Sequence, residues 1–506
     1  MIPILTAEQI RKADAYSIAN EPISSIDLME RAAQACTDRL TRLFPLATQP
    51  AFVVLCGPGN NGGDGMAIAR LLFGAGHAVR VIACPGERPF SPDAAANRAR
   101  LTKLALEVVE LQVGSPLSGI RENEVVVDAL FGTGLDRPLT GWYKDLVVAL
   151  NSLPNVVVSV DMPSGLFAED NSANDTKAIV QADVVLTFEV PKLALLLPEN
   201  APYVREWERL PIGLDSAFIH GSGSKDLLVE ADDVHQLMPD RPRAGHKGTF
   251  GHALIAAGSS GKCGAAILAA HACARSGVGL ITAQLPLDLQ PAMHVALPEV
   301  MALVDVFDKR ASGLGPHGFS AIGIGPGIGT DDDASRMLKR IVQDAPAPLV
   351  LDADALNILS ENRTWLAFLP KGSILTPHPK EFDRLTDTSA TGFERLAKAR
   401  SFAVRFGIVL VLKGAHTAVC SPDGTVYFNP TGNPGMAKGG SGDALTGIIT
   451  GLRAQGLEPT SAAVLGVYAH GLAGDLAAKE LGMDGMLPSD LIAHLPLAWS
   501  GIRASS

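Results

Sequence analysis

Short runs of apolar, largely β-branched residues alternate with amphipathic stretches along the whole chain. In the first half these runs are AFVVLC (51–56), AVRVIAC (78–84), EVVVDAL (124–130), NVVVSVDM (155–162) and ADVVLTF (182–188). Each is the length of a buried strand, and helical patterns separate most of them, which predicts a mainly parallel sheet covered by helices. Periodicity fades over LDSAFIHGSGSKD (214–226), a Gly/Ser-rich stretch that predicts a domain boundary. The alternation then restarts with HALIAAG, LITAQL, FSAIGIG, PLVLDAD, GSILTP and IVLVLKG as strands, and with CGAAILAAHACARSG and GDALTGIITGLRAQG as helices. The expectation is two different α/β domains, 1–220 and 227–506.

Composition narrows the classes. Hydrophobic residues are 47% and charged residues 19% of 506, enough for large cores. The net charge of −11 speaks against a nucleic-acid or anionic-membrane surface. No apolar run reaches the roughly 18 residues of a membrane span. The six cysteines lack C-x-x-C spacing, so a reduced, cytoplasmic protein without a zinc site is expected.

The candidate chemistry of the first half starts at LCGPGNNGGDGMAIARLL (55–72). Gly57, Gly59 and Gly62 satisfy G-x-G-x-x-G, and a strand–loop–helix order makes an anion site. A dinucleotide cofactor site also wants an acidic residue closing the next strand. Here that strand ends in Cys84 and Pro85, so the redox-cofactor reading is weak. Asp128, before a glycine turn, and Asp161, before Pro163, Ser164 and Gly165, end two further strands. Three polar loops therefore converge where the carboxyl ends of parallel strands form a ligand crevice. Amide, carboxylate and hydroxyl oxygens together suit a hard cation.

NNGGDG, DALFGTGL and DMPSG, with LMERAA on the second helix, resemble the YjeF N-terminal family, the NAD(P)H-hydrate epimerases. The resemblance covers about residues 1–215 and implies a Rossmann-like three-layer domain. It implies a potassium ion held by Asn61, Asp128 and Ser164. It also implies a hydrate site lined by Asn60, Asn61, Gly62, Gly63 and Asp64, by Gly132, Thr133, Gly134, Leu135, Asp136, Arg137 and Pro138, and by Asp161, which would handle the proton.

In the second half, NPTGNPGMAKGGSGDALTGIITGL (429–452) leads a glycine loop into an apolar helix, so free backbone N–H groups face the loop. Asp443 lies in the first turn, placed to accept a proton from a substrate hydroxyl. A G-x-G-D loop opening a late helix resembles the ribokinase-like superfamily. KGTFGHALIAAGSSGKCGAAILAA, GIGPGIG, LVLDADALNIL, LTPHPKEFDRL and VLVLKGAHTAV further resemble the YjeF C-terminal family, the ADP-dependent NAD(P)H-hydrate dehydratases, over about 230–500. This implies nucleotide contacts from Lys413, Gly414, Ala415, His416, Thr417 and Gly442, and a hydrate site including Ala265, Gly327, His378 and Asp443. His378, between two prolines, has a turn residue as its alternative, and Asp352 and Asp354 read as caps of the next helix. Lys438 stands where members of the family have a small hydroxyl residue; either the phosphates or solvent would receive its ammonium.

Taken together, the resemblances imply one chain that epimerises the R and S forms of NADH and NADPH hydrates (NADHX and NADPHX). It would dehydrate the S form with ADP as phosphoryl donor and Mg2+, and a homo-oligomer is expected. The alternatives are a small-molecule kinase and, for the first half, a non-catalytic interaction domain.

Overall fold

The computed structural model describes residues 1–21, 23–48, 50–87, 89–104, 106–306, 318–345 and 348–504. The chain forms two compact units, Ile2–Ser224 and Lys225–Ser506. The stretch 214–226 is less irregular than its composition suggests, since Ser216–His220 forms a short helix capped by Asp215.

The first unit carries strands β1 (Ala51–Cys56), β2 (Ala78–Ala83), β3 (Glu107–Glu110), β4 (Glu124–Ala129), β5 (Val157–Val160), β6 (Ala182–Phe188) and β7 (Val204–Leu210). They form a parallel sheet in the order β3-β2-β1-β4-β5-β6-β7. The order reverses between β1 and β4, which opens a crevice at their carboxyl ends. Side chains alternate across the sheet. Phe52, Val54 and Cys56 pack toward the helices Ser25–Leu43 and Asn60–Gly74, while Val53 and Leu55 pack toward the helix Gly141–Asn151 on the other face. Three layers result. β3 and β7 escape the sequence pattern because they are the sheet's edges, and EVVE and VREWERL carry charges into solvent.

In the second unit the strands run in the order Asp226–Leu228, Val426–Phe428, Ala418–Cys420, Val409–Leu412, Ile374–Leu375, Leu349–Leu351, Ala321–Ile324, His252–Ala256, Leu280–Gln284, Met301–Leu303. The pairings are parallel except where Ala418–Cys420 meets each of its neighbours. The helices Cys263–Arg275 and Ser441–Ala454 form where the sequence predicts them, and Pro459–Leu481 joins the same core, apolar on nearly every face because it is buried.

Phe52 is wholly buried between sheet and helices. In a fragment spanning residues 1–224, Phe52→Ala should lower unfolding free energy in urea by about 3–5 kcal/mol; an unchanged midpoint would contradict this packing.

Candidate active sites

A cleft of about 1490 Å³ opens at the carboxyl ends of β1 and β4 in the first unit. Asn60, Asn61 and Asp64 line it, as do 132–138 and Asp161, so the polar loops singled out in the sequence do meet. Gly62 and Gly63 do not line the cleft. A Cβ on Gly62 would lie 1.9 Å from the Gly57 carbonyl oxygen, and one on Gly63 would lie 2.8 Å from the Met29 thioether. These two glycines let the helix Asn60–Gly74 start against its own loop and against the helix Ser25–Leu43, a packing requirement that a side chain would break. Three aromatic residues that sequence reasoning missed, Phe131, Trp142 and Tyr143, also line the cleft. Phe131 and Tyr143 meet edge to face at 4.8 Å.

Asp161 follows β5 with a φ of 66°, in the left-handed region a non-glycine residue rarely occupies. Its Oδ1 accepts from Lys192 Nζ at 2.6 Å, and its Oδ2 accepts from the Thr133 amide at 3.3 Å. Burial alone would push the carboxyl up, but the Lys192 charge and hydrogen bond outweigh it and hold Asp161 below the usual carboxylate range. Two neighbouring carboxyls behave oppositely. Asp64 is raised well above its ordinary value by burial and by the Asp161 and Asp14 charges. Asp14, on the helix Ala7–Asn20, is pushed up to about 6 by burial and then by Asp161. Neither Lys192 nor Asp14 belongs to a glycine motif; the signal available in the sequence was a lone lysine in the apolar run VPKLALLLP.

Asp128, at the end of β4, is fully buried and forms no ion pair among the described residues. Its Oδ1 accepts from Ser164 Oγ at 2.6 Å, and its Oδ2 accepts from Ser159 Oγ at 2.8 Å and the Ser164 amide at 2.9 Å. Burial raises its carboxyl against these hydrogen bonds. Asn61 Oδ1 and Asp161 Oδ2 stand 3.1 and 3.2 Å from where a Cβ on Gly132 would lie, which brings the Asn61 and Asp161 loops together. Asn61 Nδ2 is buried without an acceptor. The amide oxygen of Asn61, the carboxyl of Asp128 and the hydroxyl of Ser164 are hard oxygen donors, the class that suits a hard cation.

In the second unit, Gly440 (φ 104°) turns the chain into the helix Ser441–Ala454, whose first turn carries Asp443. At that φ an L side chain is strained whatever the space around it, so glycine is favoured there. Lys413 begins the loop 413–417 between two antiparallel strands, in which Thr417 Oγ1 accepts from the Gly414 amide while Ala415 and Gly414 are exposed and His416 is half-buried. Lys413 Nζ donates to Asp352 Oδ1 at 2.7 Å, and Asp352 Oδ2 accepts from Thr446 Oγ1 at 2.9 Å. A Cβ at Gly442 would lie 3.3 Å from Lys413 Nζ, so Lys413 and the helix start are adjacent. Asp443 is pushed up to about 6, by burial first and then by the Asp352 charge, with Lys413 opposing. His470, missed in the sequence, contacts the Ser441 carbonyl at 2.9 Å from beneath, and burial lowers it to about 4. Ala265 and Gly327 also adjoin, the Ala265 methyl being 3.0 Å from a Cβ placed on Gly327.

Other expectations change. His378 caps the helix Pro379–Leu385, its Nδ1 accepting from the Lys380 and Glu381 amides at 3.1 and 3.3 Å. The capping uses Nδ1, and 45% of the side chain stays exposed. Asp352 and Asp354 do not cap the helix Asp354–Glu361 through their side chains; Asp354 instead accepts from the Gly329 amide at 2.9 Å and Lys262 at 3.1 Å. Lys438 is half-buried and turns its ammonium to backbone carbonyls. Its ammonium donates to the carbonyls of Asp484 and Met486, both at 2.6 Å, which satisfies the charge by fastening loop 484–486 to the glycine loop. Among the described residues no group of three or more His, Cys, Asp and Glu side chains could hold a metal ion, and no helix is long and apolar enough to cross a membrane.

Two family descriptions match the chain: the YjeF-related protein N-terminus over residues 25–194, and NAD(P)H-hydrate dehydratase over residues 253–497. The bifunctional NAD(P)H-hydrate repair enzyme of Moorella thermoacetica is 35% identical, with 97% of this chain and 96% of that one covered. Its counterparts in Coxiella burnetii (36%, covering 96% of this chain and 97% of the other) and Escherichia coli (34%, covering 97% and 92%) are similar over the same extent. Among solved structures, the Bacillus subtilis ADP/ATP-dependent NAD(P)H-hydrate dehydratase co-crystallised with ATP and Mg2+ is 34% identical, covering 55% of this chain and 98% of its own, at a TM-score of 0.48. With relatives of this identity spanning nearly the full length of both partners, the chain belongs to the family of bifunctional NAD(P)H-hydrate repair enzymes.

Proposed function

We propose that the first unit interconverts the R and S epimers of NADH and NADPH hydrates and that the second returns the S epimer to the reduced dinucleotide. The observation that carries this reading is the contrast between Asp161, paired with Lys192 at 2.6 Å in one unit, and Asp443, which lies in the first turn of a helix whose start adjoins Lys413 in the other and is pushed up to about 6. Carboxyls pushed apart in this way suit different proton-transfer tasks.

The hydrate carries a hydroxyl on a saturated ring carbon, and hydroxide leaves that carbon poorly. In the second unit, Asp443 takes the hydroxyl proton as the oxygen attacks the terminal phosphoryl group of a nucleotide. With ADP as donor, AMP departs and a phosphate ester forms. The ring nitrogen then pushes out phosphate, a good leaving group, and loss of a ring proton restores the double bond. The amides at the start of Ser441–Ala454 and the Lys413 ammonium face the charge that develops on the phosphoryl oxygens. Gly414, Ala415, His416, Thr417 and Gly442 flank the nucleotide, and Ala265 and Gly327 the hydrate. Magnesium would accompany the nucleotide phosphates. In the first unit, Asp161 handles the proton during epimerisation. Asn61, Asp128 and Ser164 would hold a potassium ion, which when bound supplies the positive charge that Asp128 lacks. Epimerisation makes the dehydration complete, because a stereospecific dehydratase leaves one epimer stranded.

Asp443 acts as a base only when ionised, so kcat/KM for dehydration should fall as pH drops through about 6. Asp443→Asn should slow dehydration by about two to four orders of magnitude, leaving epimerisation intact. Because burial and Asp352 disfavour the carboxylate in the folded state, the same variant should raise the thermal midpoint at neutral pH. Dehydration at the parent rate would refute the assignment.

For the cation, Asp128→Ala should raise the potassium concentration needed for half-maximal stabilisation in thermal melts and slow epimerisation, with dehydration of the S epimer unchanged. A potassium response identical to the parent's would remove the site.

A further inference from the structure

Lys192 is 1% exposed, in a region where lysine is seldom buried without a partner. An ammonium has three protons, and three protein acceptors take them: Asp161 Oδ1 at 2.6 Å, Thr187 Oγ1 at 2.8 Å and the Phe188 carbonyl at 2.9 Å. A bound hydrate could claim one only by breaking a bond already made. The other carboxyls near this ammonium do not compete for it. Glu189 Oε2 accepts from the amides of Ile212, Gly213 and Leu214 at 2.7, 2.8 and 3.2 Å, and the acceptors of Lys192 include neither Glu189 nor Asp14. The pairing is specific to Asp161, and to one of its two oxygens. Asp161 Oδ2 keeps a single long contact, from the Thr133 amide, beside the space that Gly132 leaves open.

We infer that Lys192 is a positioning residue for epimerisation: it fixes Asp161 in one orientation, with Oδ2 presented to the hydrate, and neither transfers a proton nor bonds covalently to the substrate. The inference rests on the reading that the first unit epimerises the hydrate. It adds a residue outside the glycine motifs and assigns different duties to the two oxygens of one carboxylate.

The test uses the full chain without nucleotide, so that dehydration is silent, and follows the epimer ratio of an enriched sample of hydrated NADH by chromatography. Lys192→Met should lower kcat for interconversion by about a hundredfold or more with little change in KM. Asp161→Asn and the double variant should be equally slow, because a residue that acts only through Asp161 has nothing left to position. A double variant slower than Asp161→Asn would mean that Lys192 acts on its own account and would overturn the inference, as would Lys192→Met at the parent kcat or a rise in KM alone. Should Lys192→Met fail to fold, the double variant, which removes both charges together, still decides the matter. A parent chain that does not interconvert the epimers would refute the assigned function instead, so the two failures are distinguishable.

Discussion

A buried carboxylate needs a partner, and each unit meets that need with a lysine at the mouth of its sheet. Asp161 pairs with Lys192 at 2.6 Å, and Asp352 with Lys413 at 2.7 Å. Removing one member of such a pair leaves a charge that burial penalises by several kcal/mol. The loops that bring the members together are therefore held firmly. The backbone records this tension. Among the described residues the non-glycine positions with positive φ are Asp161, Glu189 and Ala353. The first two end strands of the first unit, and the third adjoins Asp352. Strained backbone persists where surrounding contacts over-determine it, and here it persists at the ion pairs.

The two pairs serve different ends. In the first unit the lysine is saturated and its aspartate keeps one oxygen for the cleft. In the second the lysine stands beside the amides that open a helix, and the aspartate also receives Thr446, so the lysine is aligned with the anion site. A buried paired charge thus orients a carboxylate in one unit and a cation in the other.

The central strands were legible because strands buried on both faces become continuous β-branched runs, as in FVVL and EVVVDA. The edge strands β3 and β7 were not, since exposure lets charge interrupt the pattern. The converging loops at 60–64, 132–138 and 161–165 were legible because turns at strand ends need glycine or short polar residues. Gly62 and Gly63 show the limit of that reading: the same residue type serves a close approach of backbone and a ligand loop, and sequence does not separate the two. Lys192 escaped notice because its partner lies 31 positions upstream and only the fold joins them. Lys438 was visible as a charge beside a glycine loop, but its carbonyl acceptors come from residues 484 and 486, far along the chain.

The central claim is that the two chemistries are partitioned between the units. The most direct measurement is the end point of nicotinamide recovery from a mixture of both hydrate epimers, with ADP in excess. The full chain should restore the whole sample. The fragment Lys225–Ser506 should halt at the share of the S epimer and resume when the fragment 1–224 is added. Full recovery by Lys225–Ser506 alone, at the rate of the full chain, would contradict the partition.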